Sequence, residues 1–354
     1  MDRRRFLITT GGLSVIVALP GAAIAAFKVT GVEDPAKVNG VESPAKVAGV
    51  EAPAAAGARG VFGGGGVSVI NVISFLTIGT LGDAADFGDL TAARRGCDAA
   101  SNGATDRGVF MAGWTDAAND TMDYITISSE GNATDFGDSS QARFYGAACS
   151  NGTSDRGILG GGDTGSETLQ NTIDYITISS AGNATDFGDL TATKSNLAAT
   201  SNATGDRGVF AGGYTGSLTN VIEYVTISSE GNGTDFGDLT VARYGPDACS
   251  NGTSNRGVFG GGYTGAVRNE MDYVTITTTG NATDFGDLTQ ARQYLRSTSS
   301  GTADRGIFSG GNTSNDDGDK VNTIDYITIS SAGNATDFGD LEAAKWVHCA
   351  TSNA

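Results

Sequence analysis

Six cations recur at one place in this chain. Arg94, Arg143, Lys194, Arg243, Arg292 and Lys345 each stand seven residues after a phenylalanine. Gathered around one opening, they would attract an anionic ligand. The carboxylates beside them (Asp89, Asp138, Asp189, Asp238, Asp287 and Asp340) offer another use, because a buried or half-buried arginine is normally paired. The recurring "TDFGD" also places two carboxylates three residues apart, as at Asp135 and Asp138. Calcium wants about six or more oxygens, and no D-x-D-x-D-G loop is present. These pairs read as turn caps, and no metal site is expected.

A second set is aromatic: Trp114, Tyr145, Tyr214, Tyr244, Tyr263, Tyr294 and Trp346, with Arg268 among them. Aromatic faces mixed with carboxylates and amides around a shallow depression suit sugars, whose apolar faces stack and whose hydroxyls hydrogen-bond. The same rings could instead fill gaps between packed sheets. Catalysis finds little support, and no catalytic residue or cofactor is expected. The chain has 1 histidine, His348. A glycan-cleaving enzyme is the least favoured alternative, because the carboxylate pairs are too repetitive to mark one acid and one base.

The elements that position these residues follow from a repeat. An "RG[VI]" anchor recurs at Arg59, Arg107, Arg156, Arg207, Arg256 and Arg305, in steps of 48, 49, 51, 49 and 49 residues. A period near 50 with short β-branched runs and 54 glycines in the chain points to an all-β propeller of four-stranded antiparallel blades. In each unit the strands read as segments such as "YGAACSNG", "RGVFGGG", "IDYITIS" and "TDFGDL", with a Gly-Asn turn before the last. The ring starts at a second strand, Arg59 to Gly64, and ends with a first strand, Lys345 to Asn353. Six blades are therefore expected, one of them sewn from both ends of residues 55–354, which leaves no open strand row at the seam.

Spacing within the unit shows where it varies. The third-strand aromatic precedes the fourth-strand Phe by twelve residues in every unit, and that Phe precedes the next anchor by twenty. The interval from anchor to aromatic is 16, 17, 19, 17, 17 and 21. All length variation lies between second and third strands. Antiparallel order puts those loops on the same face as the lead-ins to the first strands, which makes that face the expected working surface.

The Gly-Gly doublet ending the second strand (Gly63-Gly64, Gly161-Gly162, Gly212-Gly213, Gly261-Gly262, Gly310-Gly311), followed by a Tyr and a second aromatic, resembles the kelch-repeat β-propellers. The second aromatic is Phe where that family has Trp. The resemblance implies a six-bladed ring used for binding. Kelch-like oxidases need copper ligands including histidines, which a chain with a single histidine cannot supply. The "GNATDFGD" repeat style is also similar to structural proteins of aquatic bacteriophages.

Ahead of the ring, residues 1–27 carry three arginines, an apolar stretch and the small-residue site Ala23-Ile24-Ala25. Arg3-Arg4-Arg5-Phe6-Leu7 resembles a twin-arginine export signal. Export with cleavage near Ala25 is expected, to a periplasmic, cell-surface or extracellular place; the other reading is an uncleaved membrane anchor over Phe6 to Phe27. Residues 28–54 are three nine-residue units, "KVTGVEDPA", "KVNGVESPA" and "KVAGVEAPA". They read as a stalk reaching roughly 80 Å if extended, or as a segment that pairs with other copies. A net charge of −18 argues against nucleic acid. The expected partner is a glycan or a protein, the alternative being a structural role in a virion appendage or surface layer. Cys97, Cys149, Cys249 and Cys349 fall in one element of different units, so they read as small buried residues rather than bridges.

Overall fold

The computed structural model describes residues 58–354 except 67, 316 and 317, and the backbone pairing of Ser14–Val15 with Phe27–Lys28. The stalk reading, and the leader reading apart from that pairing, lie outside the described residues. Residues Gly57–Ala354 form one compact unit of six four-stranded antiparallel sheets. The third blade is typical: first strand Ala147–Ser150, second Arg156–Gly160, third Thr172–Thr177 and fourth Thr185–Asp189.

Both faces of each blade are buried, because neighbours sandwich it. Ile158 and Ile173 of the third blade share a core with Phe210 and Val225 of the fourth. First strands touch in sequence all the way round, the last against the first, so the ring is closed. The closing blade is sewn as expected: Cys349–Ser352 pairs antiparallel with Arg59–Gly63, with Cys349 opposite Gly63 and Ser352 opposite Gly60.

The repeated motifs are stitches between blades. Gly182 N–H donates to Phe136 O at 2.7 Å, and Ala184 N–H to Asp138 O at 2.8 Å. Asp138 N–H donates to Asn183 Oδ1 at 3.1 Å. Each Gly-Asn turn thus extends the outer strand of the preceding blade. Gly137 lies at φ 138°, and a Cβ there would sit 2.5 Å from Gly182 O, so "DFGD" tolerates only glycine at its centre. The last such stitch runs from Asp340 N–H to Asp83 Oδ1 at 3.0 Å. The anchor arginines work the same way. Arg156 lies 4.2 Å over the Tyr175 ring and donates to Ile227 O of the next blade at 3.3 Å.

On the face of the first-to-second turns, Asn102, Asn151 and Asn251 donate their side-chain amides to Asp155, Asp206 and Asp304 of the following blade, each at 3.0 Å. Asn202 reaches Asn255 at 2.9 Å, and Asn353 reaches Asp106 at 3.0 Å. Between the sixth and first blades the corresponding residues are Ser300 and Ala58, whose side chains cannot form this pair.

One expectation is overturned. Cys97 and Cys349 form a disulfide across 252 residues, with Cα atoms 5.5 Å apart. Sewing the first blade from the chain's end lays Cys349 beside the second blade, and the two cysteines occupy neighbouring rather than equivalent register positions. Cys149 and Cys249 are free and buried, as expected.

Candidate functional site

The variable-loop face is built as concentric circles around the axis. The innermost circle holds the residue two positions before each first strand: Gly96, Tyr145, Asn196, Gly245, Tyr294 and Val347. Each donates its N–H to the carbonyl of the one before it, at 2.7 to 3.0 Å, and Gly96 closes the set on Val347 O. All six adopt left-handed backbone, with φ between 47° and 65°. Glycine takes this without cost, but two tyrosines, an asparagine and a β-branched valine do not. Such a set of outliers is held by its surroundings, and it fixes where Tyr145 and Tyr294 point.

The next circle is the lead-in residue (Arg95, Phe144, Ser195, Tyr244, Gln293), each bridged antiparallel to the end of its blade's second strand (Trp114, Asp163, Tyr214, Tyr263, Asn312). Trp346 holds the lead-in position in the first blade, where its carbonyl accepts from Gly66 N–H at 3.1 Å.

The seven predicted aromatics come together. Tyr145 and Tyr294 stack with centroids 5.8 Å apart, and Tyr294 lies 5.7 Å from Tyr244 and 5.3 Å from Trp346. Tyr244 continues to Tyr263 at 5.2 Å and Tyr214 at 6.4 Å. On the other side Tyr145 meets Phe144 at 4.7 Å, which meets Trp114 at 4.9 Å. Phe144 joins the seven into one patch. Most of these rings are half-buried, while Trp346 is 8% exposed. Burial pushes the Tyr294 hydroxyl well above its ordinary range. Arg268 stands at the edge, in a two-point ion pair with Glu270 of its own blade.

The six cations are not part of this surface. Arg94, Arg143, Lys194, Arg243, Arg292 and Lys345 are all 1% exposed or less. Four pair with a third-strand aspartate of the following blade: Arg94 with Asp123 at 2.9 Å, Arg143 with Asp174 at 2.8 Å, Arg243 with Asp272 at 3.0 Å and Arg292 with Asp325 at 2.7 Å. Lys194 pairs likewise with Glu223. The expected partner, the last Asp of "DFGD", is engaged through its backbone in the stitch instead. Side chains this deep cannot receive a ligand. Lys345 is the exception that keeps the rule: blade one has Ser74 where the others have an acid, and the carboxylate comes from Glu342, with Lys345 Nζ donating to Ser74 Oγ at 2.8 Å.

Beneath the mouth, first-strand residues of all six blades line a cavity of about 120 Å³. Asp98 and Asp247 face each other there from opposite blades. Each takes the free edge of the next first strand: Asp98 accepts from Ala148 N–H at 2.9 Å, and Asp247 from Ser297 N–H at 2.5 Å. Arg296 crosses from the sixth blade to His348 O at 2.6 Å and Cys97 O at 3.3 Å. Burial raises both aspartates, Asp247 to about 7, against the pull of Arg296. The sequence reading missed this trio. Its signal was a break in the repeat, since the same position is alanine at Ala147 and Ala198. His348 is fully buried and its Nε2 meets Ser309 Oγ at 2.9 Å.

A scan against protein-family models finds no match to this chain, and a search of curated proteins finds none.

Proposed function

We propose that the ring is an exported, non-enzymatic, kelch-like recognition module that binds a glycan or a protein surface through the variable-loop face, with a glycan favoured. One observation carries this reading. Eight aromatic rings join into a single patch at the mouth of the face to which the repeat confines its length variation. Half-buried rings in a shallow mouth offer stacking area at low entropic cost, and the flanking Asp163, Asn196 and Gln293 supply polar groups. Export is supported by the arginine leader and by the disulfide, which persists best in an oxidising compartment.

The test is a glycan array with the purified ring and its Trp114→Ala/Tyr214→Ala/Tyr263→Ala variant. Binding lost in the variant, with unfolding temperature retained, supports the reading. Equal binding by both removes this face from consideration. The nine-residue repeats favour a second reading, a part of a self-assembling appendage or surface layer. Native mass spectrometry with and without residues 28–54 separates the two, since monomers in both cases count against assembly.

A further inference from the structure

Five copies of one turn carry a triplet whose chemistry the ring's architecture does not use up. Asn132-Ala133-Thr134, Asn183-Ala184-Thr185, Asn232-Gly233-Thr234, Asn281-Ala282-Thr283 and Asn334-Ala335-Thr336 each read Asn-x-Thr with x other than proline, the acceptor pattern for asparagine-linked sugar. Every one of these asparagines and threonines is exposed. Each asparagine Oδ1 accepts a stitch from the neighbouring blade, given by the N–H of Asp89, Asp138, Asp189, Asp238 and Asp287 in turn at 3.0 to 3.1 Å. An N–H donor on that branch fixes the carboxamide, so Nδ2 is the branch left over. Neither Nδ2 nor the threonine hydroxyl has a hydrogen-bond partner among the described residues.

Stitching needs only the oxygen. The first blade shows this, because Asp83 there accepts from Asp340 N–H at 3.0 Å. The same unit has Ala85 where the other five have threonine. Amide nitrogen and hydroxyl thus occur together in five units and are missing together in the sixth. The chain holds the same kind of triplet elsewhere, and there the fold closes it. Asn151, Asn202 and Asn251 begin Asn-x-Thr in the first-to-second turns, but they are 2% exposed or less. Their Nδ2 atoms are spent on Asp206, Asn255 and Asp304. Asn312 is buried, and Asn119 lies within the strand Ala118–Thr126.

We infer that Asn132, Asn183, Asn232, Asn281 and Asn334 are acceptor sites for N-linked glycosylation. The donor class is a polyprenyl-diphosphate-linked oligosaccharide, used by a membrane-bound oligosaccharyltransferase. Nδ2 bonds to the anomeric carbon as the bond from that carbon to the diphosphate oxygen breaks. The lipid diphosphate leaves with the electron pair, and one amide proton passes to solvent. Oδ1 takes no part, so the stitch survives the modification. Antiparallel order puts these third-to-fourth turns on the face of the first-to-second turns, so the sugars leave the aromatic mouth bare. The inference rests on the export part of the reading above, not on what the mouth binds.

The experiment incubates the purified, folded full chain with a single-subunit oligosaccharyltransferase and a short polyprenyl-diphosphate-linked oligosaccharide. Intact mass and glycopeptide mapping should show up to five additions, on the five named asparagines and not on Asn151, Asn202 or Asn251. Asn183→Asp, which copies the first blade, and Thr185→Ala should each remove one addition with the unfolding temperature unchanged. Asp83→Asn combined with Ala85→Thr should create a sixth. No sugar on the five overturns the inference, as does equal labelling of Asn151, Asn202 and Asn251 in the folded protein. A second arm expresses the full chain with its leader in cells that hold the same enzyme and donor outside the cytoplasm. Sugar on the five there supports export and the sites together. A chain left bare in those cells but modified after purification overturns export, while the acceptor sites stand.

Discussion

Tyr145 and Tyr294 stack at 27° with centroids 5.8 Å apart, although they arrive from the third and sixth blades on opposite sides of the axis. The pair spans the mouth. Beneath each lies a glycine of the preceding blade: a Cβ on Gly96 would come within 3.0 Å of the Tyr145 ring, and one on Gly245 within 3.2 Å of Tyr294. A glycine directly before each tyrosine in the circle is what lets two large rings share a space this narrow.

Gly96→Ala should therefore cost about 1–2 kcal/mol, since it combines a left-handed backbone with a crowded Cβ. Urea unfolding reads the cost. Near-ultraviolet circular dichroism should change as Tyr145 tilts. An unchanged aromatic spectrum together with unchanged stability would contradict this packing.

Alkylation of the unfolded, unreduced protein should modify two of its four cysteines, and mass mapping should place the label on Cys149 and Cys249. Replacing Cys97 and Cys349 together by alanine should lower stability by about 2–5 kcal/mol, because the bridge ties down the strand that completes the first blade.

Asp174→Asn should cost about 3–5 kcal/mol, leaving the Arg143 guanidinium buried against a neutral partner. At the seam the exchange of roles between Ser74 and Glu342 makes a converse prediction. Ser74→Asp combined with Glu342→Thr rebuilds the pattern of the other blades and should stay within about 1 kcal/mol of wild type, while Glu342→Thr alone should not.

The pH dependence has a definite sign. Burial holds the folded-state pKa of Asp247 at about 7, above its ordinary 3.8. The folded ring thus binds a proton there that the unfolded chain releases, and this contribution to stability is lost as pH rises from 3.8 through about 7. Asp247→Asn keeps an acceptor for Ser297 N–H but does not titrate. Its stability should fall less over that window than wild type, in urea titrations at successive pH values.

The ring itself was legible because its signals are local. Anchor spacing gave the period, and a first strand at the chain's end gave the seam. The variable-loop face was legible because length changes from unit to unit in one connection alone. What failed involved neighbours that the sequence does not juxtapose. Proximity in the chain pairs Arg143 with Asp138, whereas its partner Asp174 lies one blade on. Asn183 was read as a turn former, yet its side chain holds the blade before it. Cys97 and Cys349 fall in the same element of different units, which hides that closure makes them neighbours. The left-handed circle announces itself only at Gly96 and Gly245; nothing in Tyr145, Asn196, Tyr294 or Val347 taken singly reveals it.

The head-to-tail circle of peptide groups at the mouth has a further consequence. It is a circuit without a terminus. Its head-to-tail dipoles run round the circle and cancel, so the circle itself adds no net in-plane dipole at the opening. Each bond polarises the next with no unassisted first member. Losing one link strands a donor and an acceptor together, so the six members are expected to hold or open as one.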